Sequence, residues 1–312
     1  MREACLDEVY KLAKADERVF FVGSDLGVGT LKNFQQEMPG RFFMEGIAEG
    51  YLIGMASGLA LEGHVVYVNT ISTFITRRCY EQIAIDACLH RLKVRLIGNG
   101  GGMVYAPLGP THMAIEDISI MRAIPNMTIV APADADEMRR LMPQTLDYPG
   151  PIYIRVAKGY DPIVSRDDVP CRIGEALPMR EGRDALLITT GITLKIALEA
   201  ADQLAAQGIA AAVLHFPTVK PLDAKHLLDL ASPVRAIVTI EENSIIGGLG
   251  SAVAEIVAEA GFEPAKKFKR HGIPDVFPEN YGSQAKLMDH YDISTKAVVA
   301  TVSGLLTQKR GG

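Results

Sequence analysis

One carboxylate stands alone in an apolar stretch near the start of the chain. Glu49 is the single charged residue between Gly46 and Leu61, where the sequence is GIAEGYLIGMASGLAL. An ionised carboxylate in such surroundings is costly unless a cation pairs with it or it holds a proton. We therefore take Glu49 as a candidate acid–base group with a perturbed protonation. The alternative is a glutamate in the first turn of a helix, where the helix dipole favours it.

A second candidate group is a histidine that follows a predicted turn. His112 ends the sequence Gly109-Pro-Thr-His112, which comes a few residues after the glycine loop 98–102. Such a histidine could act as a general acid–base or as an oxyanion donor, although hydrogen-bonded surface histidines are commoner. The glycine loop could let backbone approach a ligand closely, or it could be a tight turn between elements. It lacks the Gly-Lys-Ser/Thr ending of a phosphate-binding P-loop.

Several cations follow predicted strands and would suit a phosphorylated or carboxylate substrate. For any single one of them, a surface salt bridge is the commoner role. These residues are Arg77, Arg78, Arg155 and Lys158.

Alternating strands and helices are expected to position these side chains. The apolar spacing around Glu49 predicts a helix, and the glycines at every fourth position from 46 to 58 predict close approach of another element. β-branched runs predict strands, and amphipathic runs between them predict helices, which is the pattern of a parallel sheet covered on both faces. The predicted strands are 19–22, 64–68, 93–97, 127–130, 151–154, 186–189, 212–216 and 235–240, and the predicted helices include 80–90, 134–146 and 193–206.

A polar, turn-rich segment separates two such α/β regions. We predict one domain over 1–160, a linker over 161–183 and a second domain over 184–312. In open α/β sheets ligands bind at the carboxyl ends of the strands, and the polar and glycine-rich loops of the first domain follow its strands. The sequence therefore predicts that the first domain carries the site.

Composition excludes several other classes of protein. The net charge of −5 is spread over both signs, which argues against a nucleic-acid surface. The four cysteines form no Cys-x-x-Cys pair, and the start of the chain lacks an apolar signal segment. No stretch is long and apolar enough for a membrane helix. These features predict a reduced, cytoplasmic protein that binds neither membranes nor nucleic acid.

The motifs, taken in order, resemble those of the transketolase family of thiamine-diphosphate enzymes, over nearly the whole chain. Each motif alone is weak evidence for the family, and the resemblance depends on the order and spacing of the motifs together. The motifs are Gly23-Ser-Asp-Leu26, the Glu49 helix, Ser72-Thr-Phe74 with Tyr80-Glu-Gln-Ile83, Gly109-Pro-Thr-His112, Ile124-Pro-Asn-Met127, Ala131-Pro-Ala-Asp134, Thr218-Val-Lys-Pro-Leu-Asp223, Glu241-Glu242 and Gly247-Gly-Leu-Gly-Ser251.

The resemblance implies two doubly wound domains, a pyrimidine-binding domain followed by the family's C-terminal domain. The Gly-Asp-Gly motif with which the family holds the diphosphate and its metal does not occur in this sequence, so no metal ligand is assigned. The chain therefore resembles the C-terminal subunit of a split transketolase. Its expected partner is the diphosphate-binding N-terminal subunit, which would anchor thiamine diphosphate and Mg²⁺ or Ca²⁺ in an α2β2 heterotetramer, with self-association through this chain.

By resemblance, Glu49 hydrogen-bonds the aminopyrimidine ring of the cofactor and activates it for transfer of a two-carbon ketol unit from a ketose or ketose phosphate to an aldose or aldehyde. Phe74 matches the aromatic residue that packs on the pyrimidine, and His112 matches the histidine that handles substrate hydroxyl protons. The other predicted cofactor contacts are Asp25, Ser72, Tyr80 and Gly100. The predicted substrate contacts are Arg77, Arg78, Leu108, Arg155 and Lys158, and a one-residue length difference leaves open which of Arg77 and Arg78 matches the family's basic position.

Two departures from the family pattern bear on the substrate. Leu108 stands where relatives usually carry an aspartate that contacts a sugar hydroxyl, and Gly100 stands where they carry a histidine or aspartate. We therefore expect a less hydroxylated, branched or otherwise unusual sugar. The alternatives are the β chain of a 2-oxo-acid dehydrogenase, an enzyme like deoxyxylulose-phosphate synthase, and a non-catalytic regulatory paralogue.

Overall fold

The computed structural model describes residues 1–24, 29, 31–157, 159 and 161–307. It confirms the α/β prediction: two sheets that are mostly parallel are each flanked by helices. The first seven helices are α1 Arg2–Ala15, α2 Lys32–Glu37, α3 Glu49–Leu61, α4 Ser72–Arg77, α5 Tyr80–Gln82, α6 Asp117–Ala123 and α7 Ala135–Leu141. The remaining helices are α8 Leu194–Ala206, α9 Ala224–Ala231, α10 Leu249–Glu259, α11 Gln284–His290 and α12 Thr295–Thr307.

The first sheet is built mainly from the first half of the chain. Its order is β10-β5-β6-β4-β3-β1-β2, and every pairing except β10 with β5 is parallel. The strands are β1 Val19–Gly23, β2 Phe42–Met44, β3 Val65–Ile71, β4 Val94–Asn99, β5 Thr128–Val130, β6 Ile152–Val156 and β10 Thr218–Lys220.

The second sheet has the order β12-β11-β8-β9-β7, in which only β7 runs antiparallel to its neighbour. Its strands are β7 Leu177–Arg180, β8 Ala185–Thr189, β9 Ala211–His215, β11 Ala236–Ser244 and β12 Lys267–Ile273.

Alternation along the strands fills two apolar cores. Val65 and Tyr67 of β3 belong to one core, and Val66 and Val68 belong to the other. Successive side chains of a strand point to opposite faces, so a strand that is apolar at every position must be covered on both sides. Each core also contains side chains of the second sheet, so the two sheets share continuous apolar packing.

Short edge strands account for the main differences from the predicted elements. β10 was not predicted, and it pairs with β5 of the first sheet although it follows the second sheet's β9 in sequence. β7 lies within the segment 161–183, which was predicted to be a linker. Both are short strands at a sheet edge, and they lack the continuous apolar run that indicated the equally short β5.

The predicted helix 80–90 is not one regular α-helix. Three residues of α5 are followed by a π-helix over Ile83–Cys88, in which the Leu89 amide donates to the Ala84 carbonyl five residues back. π-turns of this kind are rare and are often found beside functional sites.

The helix predicted around Glu49 begins at Glu49 itself, with Ala48 as its N-cap residue. Its buried face carries Leu52, Ile53 and Ala56, which matches the helical spacing of the prediction. The expected close approach to the glycine stripe is not found within the described chain. Added methyl groups at residues 54 and 58 would meet no atom within 4 Å.

Candidate active site

The Glu49 carboxylate is buried at the first turn of α3, where only 1% of its side chain is exposed. It is paired: Arg78 Nη1 donates a 2.7 Å hydrogen bond to Glu49 Oε2. A carboxylate in apolar surroundings needs either a counter-ion or a bound proton, and here the structure provides the counter-ion. The position in the first turn also matches the helix-dipole alternative, so both stabilising influences act on this group.

Phe74 and His112 lie side by side next to this pair. The chain leaves β3 at Ile71 and enters α4 at once, which places Phe74 at the carboxyl end of the sheet. The rings of Phe74 and His112 meet edge to face, with centroids 5.3 Å apart. Thr73 Oγ1 donates to the His112 carbonyl oxygen at 3.0 Å and fixes the turn to the helix.

Arg78 joins the two halves of this arrangement. Its guanidinium carbon lies 4.4 Å from the centroid of the Phe74 ring while its Nη1 contacts Glu49. The four side chains Glu49, Phe74, Arg78 and His112 are called the Glu49 cluster below. The cluster lies at the carboxyl ends of the first sheet's strands, where α/β folds place their ligands.

Arg77, the neighbouring cation, points to a different partner. Its guanidinium pairs with the Glu116 carboxylate and donates to the Met113 carbonyl oxygen at 3.2 Å. The structure thus separates the two adjacent arginines, and of the two it places Arg78 in the Glu49 cluster.

The sequence predicted Arg155 as a substrate contact, but the structure holds its guanidinium in a buried ion pair. It is buried, and Nε and Nη2 contact the two oxygens of Asp117 at 2.8 and 3.0 Å. Nη2 also donates to the Glu242 carbonyl oxygen at 2.8 Å. Burial alone would lower the pKa of this guanidinium, but the Asp117 carboxylate raises it above its ordinary range. Arg155 therefore stabilises the contact between the two sheets.

The contacts shown for Ser72 and Gly100 are with residues outside the Glu49 cluster. Ser72 is fully buried, and its Oγ faces Gly98 of β4. The Gly100 amide donates to the Val156 carbonyl at 2.8 Å, and the ring of Tyr105 covers the place that a side chain at 100 would take. With φ of +74°, position 100 favours glycine for its backbone alone. The glycine loop is thus a structural turn against β6.

The remaining predicted contacts are exposed or lie outside the described residues. Leu108 ends a short 3₁₀ turn with 53% of its side chain exposed, and Tyr80 is exposed at the start of α5. Asp25 and Lys158 lie outside the described residues.

Sequence reasoning quoted Glu241 and Glu242 as a motif but gave neither acid a role. Glu242 accepts the Met103 amide at 2.7 Å and the side-chain amide of Gln284 at 2.9 Å. Glu241 accepts the amides of Leu249 and Gly250 at the start of α10. Burial raises the pKa of each carboxyl to about 7, against the opposing effect of these hydrogen bonds and of nearby arginines. The sequence feature that could have indicated a buried role is the position of two adjacent glutamates directly after an apolar strand.

Another contact that the sequence did not indicate reaches the Gly109–His112 turn from the second half of the chain. A methyl group added to Gly109 would lie 2.7 Å from the ring of Tyr281, and Gly109 is buried although Leu108 and Thr111 beside it are exposed. Tyr281 therefore covers the backbone of the turn that carries His112.

No group of three or more His, Cys, Asp or Glu side chains in the part of the chain that the structure describes is arranged to hold a metal ion. All four cysteines, each within that part, are buried free thiols. Among the described helices, none has both the length and the apolar character needed to cross a bilayer.

Two family models match this chain. The model of the transketolase pyrimidine binding domain matches residues 1–160, and that of the transketolase C-terminal domain matches residues 174–298. The chain belongs to the transketolase family. All four residues of the Glu49 cluster lie within the match to the pyrimidine binding domain.

Relatives of more than one kind are similar to this transketolase-family chain. It is 37% identical over 293 residues to the 6-deoxy-6-sulfo-D-fructose transketolase subunit SqwH of Clostridium sp. strain MSTE9, covering 92% of this chain and 91% of that one. It is 38% identical over 308 residues to 1-deoxy-D-xylulose-5-phosphate synthase 1 of Geobacter sulfurreducens, covering 97% of this chain and 47% of the synthase. Among solved structures, a split gene transketolase described as an inactive beta4 tetramer matches with a TM-score of 0.90 and 35% identity, over 99% of both chains.

Proposed function

We propose that this chain is the pyrimidine-binding subunit of a two-component, thiamine-diphosphate-dependent transketolase. The observation that carries the proposal is the buried carboxylate of Glu49 beside the ring of Phe74 at the carboxyl end of the first sheet. The pair offers an acid and an apolar ring face, which are the two kinds of contact that an aminopyrimidine needs.

Thiamine diphosphate, when bound, supplies the nucleophilic carbon and the electron sink for cleavage of a carbon–carbon bond. Glu49 is proposed to hold a proton at the pyrimidine ring nitrogen, and Phe74 to pack on the ring. His112 is proposed to exchange a proton with a substrate hydroxyl. Its edge-to-face contact with Phe74 and the Thr73 hydrogen bond to its carbonyl oxygen support it in a fixed place next to the pyrimidine position.

A partner chain is part of the proposal, because the described residues offer neither a metal site nor a diphosphate motif. Exposed apolar side chains on or next to α3 and the π-helix support an intersubunit surface here, since exposed apolar patches on a monomer often mark interfaces. α3 packs beside the π-helix. The exposed apolar side chains are Ile47, Tyr51, Leu61, Ile85 and Leu89.

The proposed donor is a ketose that has fewer hydroxyl groups than the common sugar phosphates and ends in an anionic group. Leu108, exposed beside the His112 turn, cannot accept a hydrogen bond from a hydroxyl. Arg77 and Arg78 provide cations close to the same turn. The similar Clostridium subunit is named for 6-deoxy-6-sulfo-D-fructose, a sugar of this type.

The test is reconstitution with the N-terminal transketolase subunit of the same organism. The reconstituted pair is assayed for ketol transfer from a 6-deoxy-6-sulfo ketose and from ordinary ketose phosphates to aldehyde acceptors. We expect transfer only when both chains and thiamine diphosphate are present. A pair that assembles and binds the cofactor but transfers no ketol unit from any donor would contradict the proposed reaction.

The similarity to 1-deoxy-D-xylulose-5-phosphate synthase supports a second candidate, in which the two-carbon donor is pyruvate. The same reconstituted pair separates the two. Release of carbon dioxide from pyruvate in the presence of an aldose phosphate would favour the synthase-like reaction, and transfer from a ketose without carbon dioxide would favour transketolase.

A further inference from the structure

The Arg78 guanidinium, a flat and nitrogen-rich group, lies in contact with both Glu49 and Phe74, and the place that it occupies is called the recess below. Its Nη1 donates to Glu49 Oε2 at 2.7 Å, and its guanidinium carbon lies 4.4 Å from the Phe74 ring centroid. A guanidinium carries N–H donors on a planar N–C–N unit, and an aminopyrimidine presents the same N–C–N edge with an amino donor. Both groups can stack on an aromatic ring and bind a carboxylate.

We propose that the Arg78 side chain mimics the cofactor's aminopyrimidine. It occupies the recess in the free subunit and must move out before the cofactor can bind. The inference rests on the proposed function, because it takes the recess between Glu49 and Phe74 as the pyrimidine site. It adds a competition between a side chain of this subunit and the cofactor for the same two contacts.

The surroundings of Arg78 allow this movement. Arg78 follows the last residue of α4 and precedes α5, so no helix has to break when its side chain turns away. Nearly half of its side chain, 48%, is exposed, whereas Glu49 is 1% exposed. A half-exposed ion pair and a cation–π contact are each weak, so a ligand can displace the arginine.

The neighbouring groups also explain why Arg78, and not Arg77, fills the recess. Arg77 is held by Glu116 and by the Met113 carbonyl. The rings of Phe74 and His112 meet edge to face with centroids 5.3 Å apart, in a contact that does not involve Arg78. Displacement of Arg78 therefore frees its place on the Phe74 ring and keeps the contact between Phe74 and His112.

The test measures binding of hydroxymethylpyrimidine, the neutral aminopyrimidine half of thiamine, to the isolated full-length chain by ligand-observed NMR. A neutral probe needs no diphosphate anchor and is not repelled by the arginine's charge. We expect Arg78→Ala to bind the probe about tenfold more tightly than the wild type, because removing a competing closed state raises the apparent affinity. Arg78→Lys should fall between the two, since it keeps the ion pair but not the planar stack.

Two controls make the result specific to the recess. Arg180→Ala removes an arginine that pairs with Asp202 on the second half of the chain, and it should bind the probe like the wild type. Methylguanidinium added to Arg78→Ala should compete with the probe, because it restores the missing group in solution.

The outcomes separate this inference from the proposed function. If Arg78→Ala binds no more tightly than the wild type, while Glu49→Ala and Phe74→Ala both abolish binding, the pyrimidine site stands and the mimicry by Arg78 is overturned. If no variant binds the probe, or if binding is indifferent to Glu49 and Phe74, the proposed cofactor site fails and the inference fails with it.

Discussion

At the scale of single residues, the Glu49 cluster depends on four side chains that come from three segments of the chain. Glu49 begins α3, Phe74 and Arg78 come from α4 and its end, and His112 closes a turn after β4. Because two of these contacts involve Phe74 and two involve Arg78, the loss of any one member leaves the others partly positioned. Substitutions at this site should therefore change chemistry more than folding.

The first prediction concerns Glu49→Gln in the reconstituted two-subunit enzyme. We expect turnover to fall about 10²- to 10⁴-fold, the usual contribution of a general acid–base group. Thermal unfolding of the variant subunit should stay close to that of the wild type, because an amide is nearly isosteric and can still accept a bond from Arg78. Near-normal turnover would contradict the role assigned to Glu49.

The second prediction concerns Gly109→Ala, beside the turn that carries His112. Gly109 has φ of +77° with ψ of −172°, a region that is essentially restricted to glycine. We expect a loss of about 1–3 kcal/mol in the free energy of unfolding, measured by urea denaturation. Gly304→Ala is the matched control, since Gly304 lies within α12 with open space around it, and alanine should be neutral or stabilising there.

Sequence reasoning about single residues succeeded where a residue type was unusual for its surroundings. Glu49 stood out because an isolated acid in an apolar run demands a partner, and the structure supplies Arg78. It failed for Arg155, because its partner Asp117 lies 38 positions away in the sequence. A cation after a strand has the same local pattern whether it faces solvent or a buried carboxylate.

At the scale of elements, the pair of Arg155 and Asp117 connects β6 with the start of α6. Tyr153, also on β6, donates to the same carboxylate at 2.6 Å, and burial, reinforced by that carboxylate, raises its pKa well above the ordinary value. Asp117 thus accepts hydrogen bonds from two side chains of one strand, and it fixes α6 against the sheet.

The third prediction follows from this arrangement. Asp117→Ala leaves the Arg155 guanidinium buried without its counter-ion, so we expect a loss of about 3–5 kcal/mol in the free energy of unfolding. Asp168→Ala, which breaks an exposed pair with Arg166, should cause no measurable loss in the same urea titration. Equal effects of the two substitutions would contradict the structural role of Arg155.

Central strands were predictable from sequence, and strands at the sheet edges were not. The five central strands of the first sheet and the strands β8, β9 and β11 follow β-branched runs that are buried on both faces. The short strands β2, β7 and β10 are fixed by the partners that they meet in the folded chain. The π-helix after α5 could not be predicted from the sequence either, since its residues have an ordinary helical composition.

At the scale of the whole molecule, Glu242 connects the two sheets through the glycine loop. It lies on β11, it accepts the Met103 amide, and a side chain at Gly102 would clash with its carboxyl group. Its carbonyl oxygen also accepts from Arg155 of β6. The contact between the two halves of the chain therefore contains a buried carboxyl whose pKa is about 7.

The fourth prediction is a pH dependence of stability that originates from this carboxyl. Its pKa rises from the ordinary value of 4.5 to about 7 on folding, so the folded state binds the proton more tightly than the unfolded state. The stabilisation is fully present below about pH 4.5 and is lost as the pH rises through 7. The difference corresponds to roughly 3 kcal/mol.

Glu242→Gln cannot titrate, so its free energy of unfolding should decline less than that of the wild type between pH 5 and pH 8. Urea titrations at several pH values measure the difference. Glu241 has a similarly raised pKa and remains in the variant, so part of the slope should persist. Parallel curves for the wild type and the variant would contradict the assignment to Glu242.

The strand β10 has a consequence for how pieces of this protein can be handled. It covers the outer edge of β5, and the sheet would otherwise end there with unpaired backbone groups. Exposed strand edges promote aggregation by pairing with other chains. A fragment truncated after residue 160 lacks β10, so we expect it to be insoluble, while the intact chain shields that edge with its own second half.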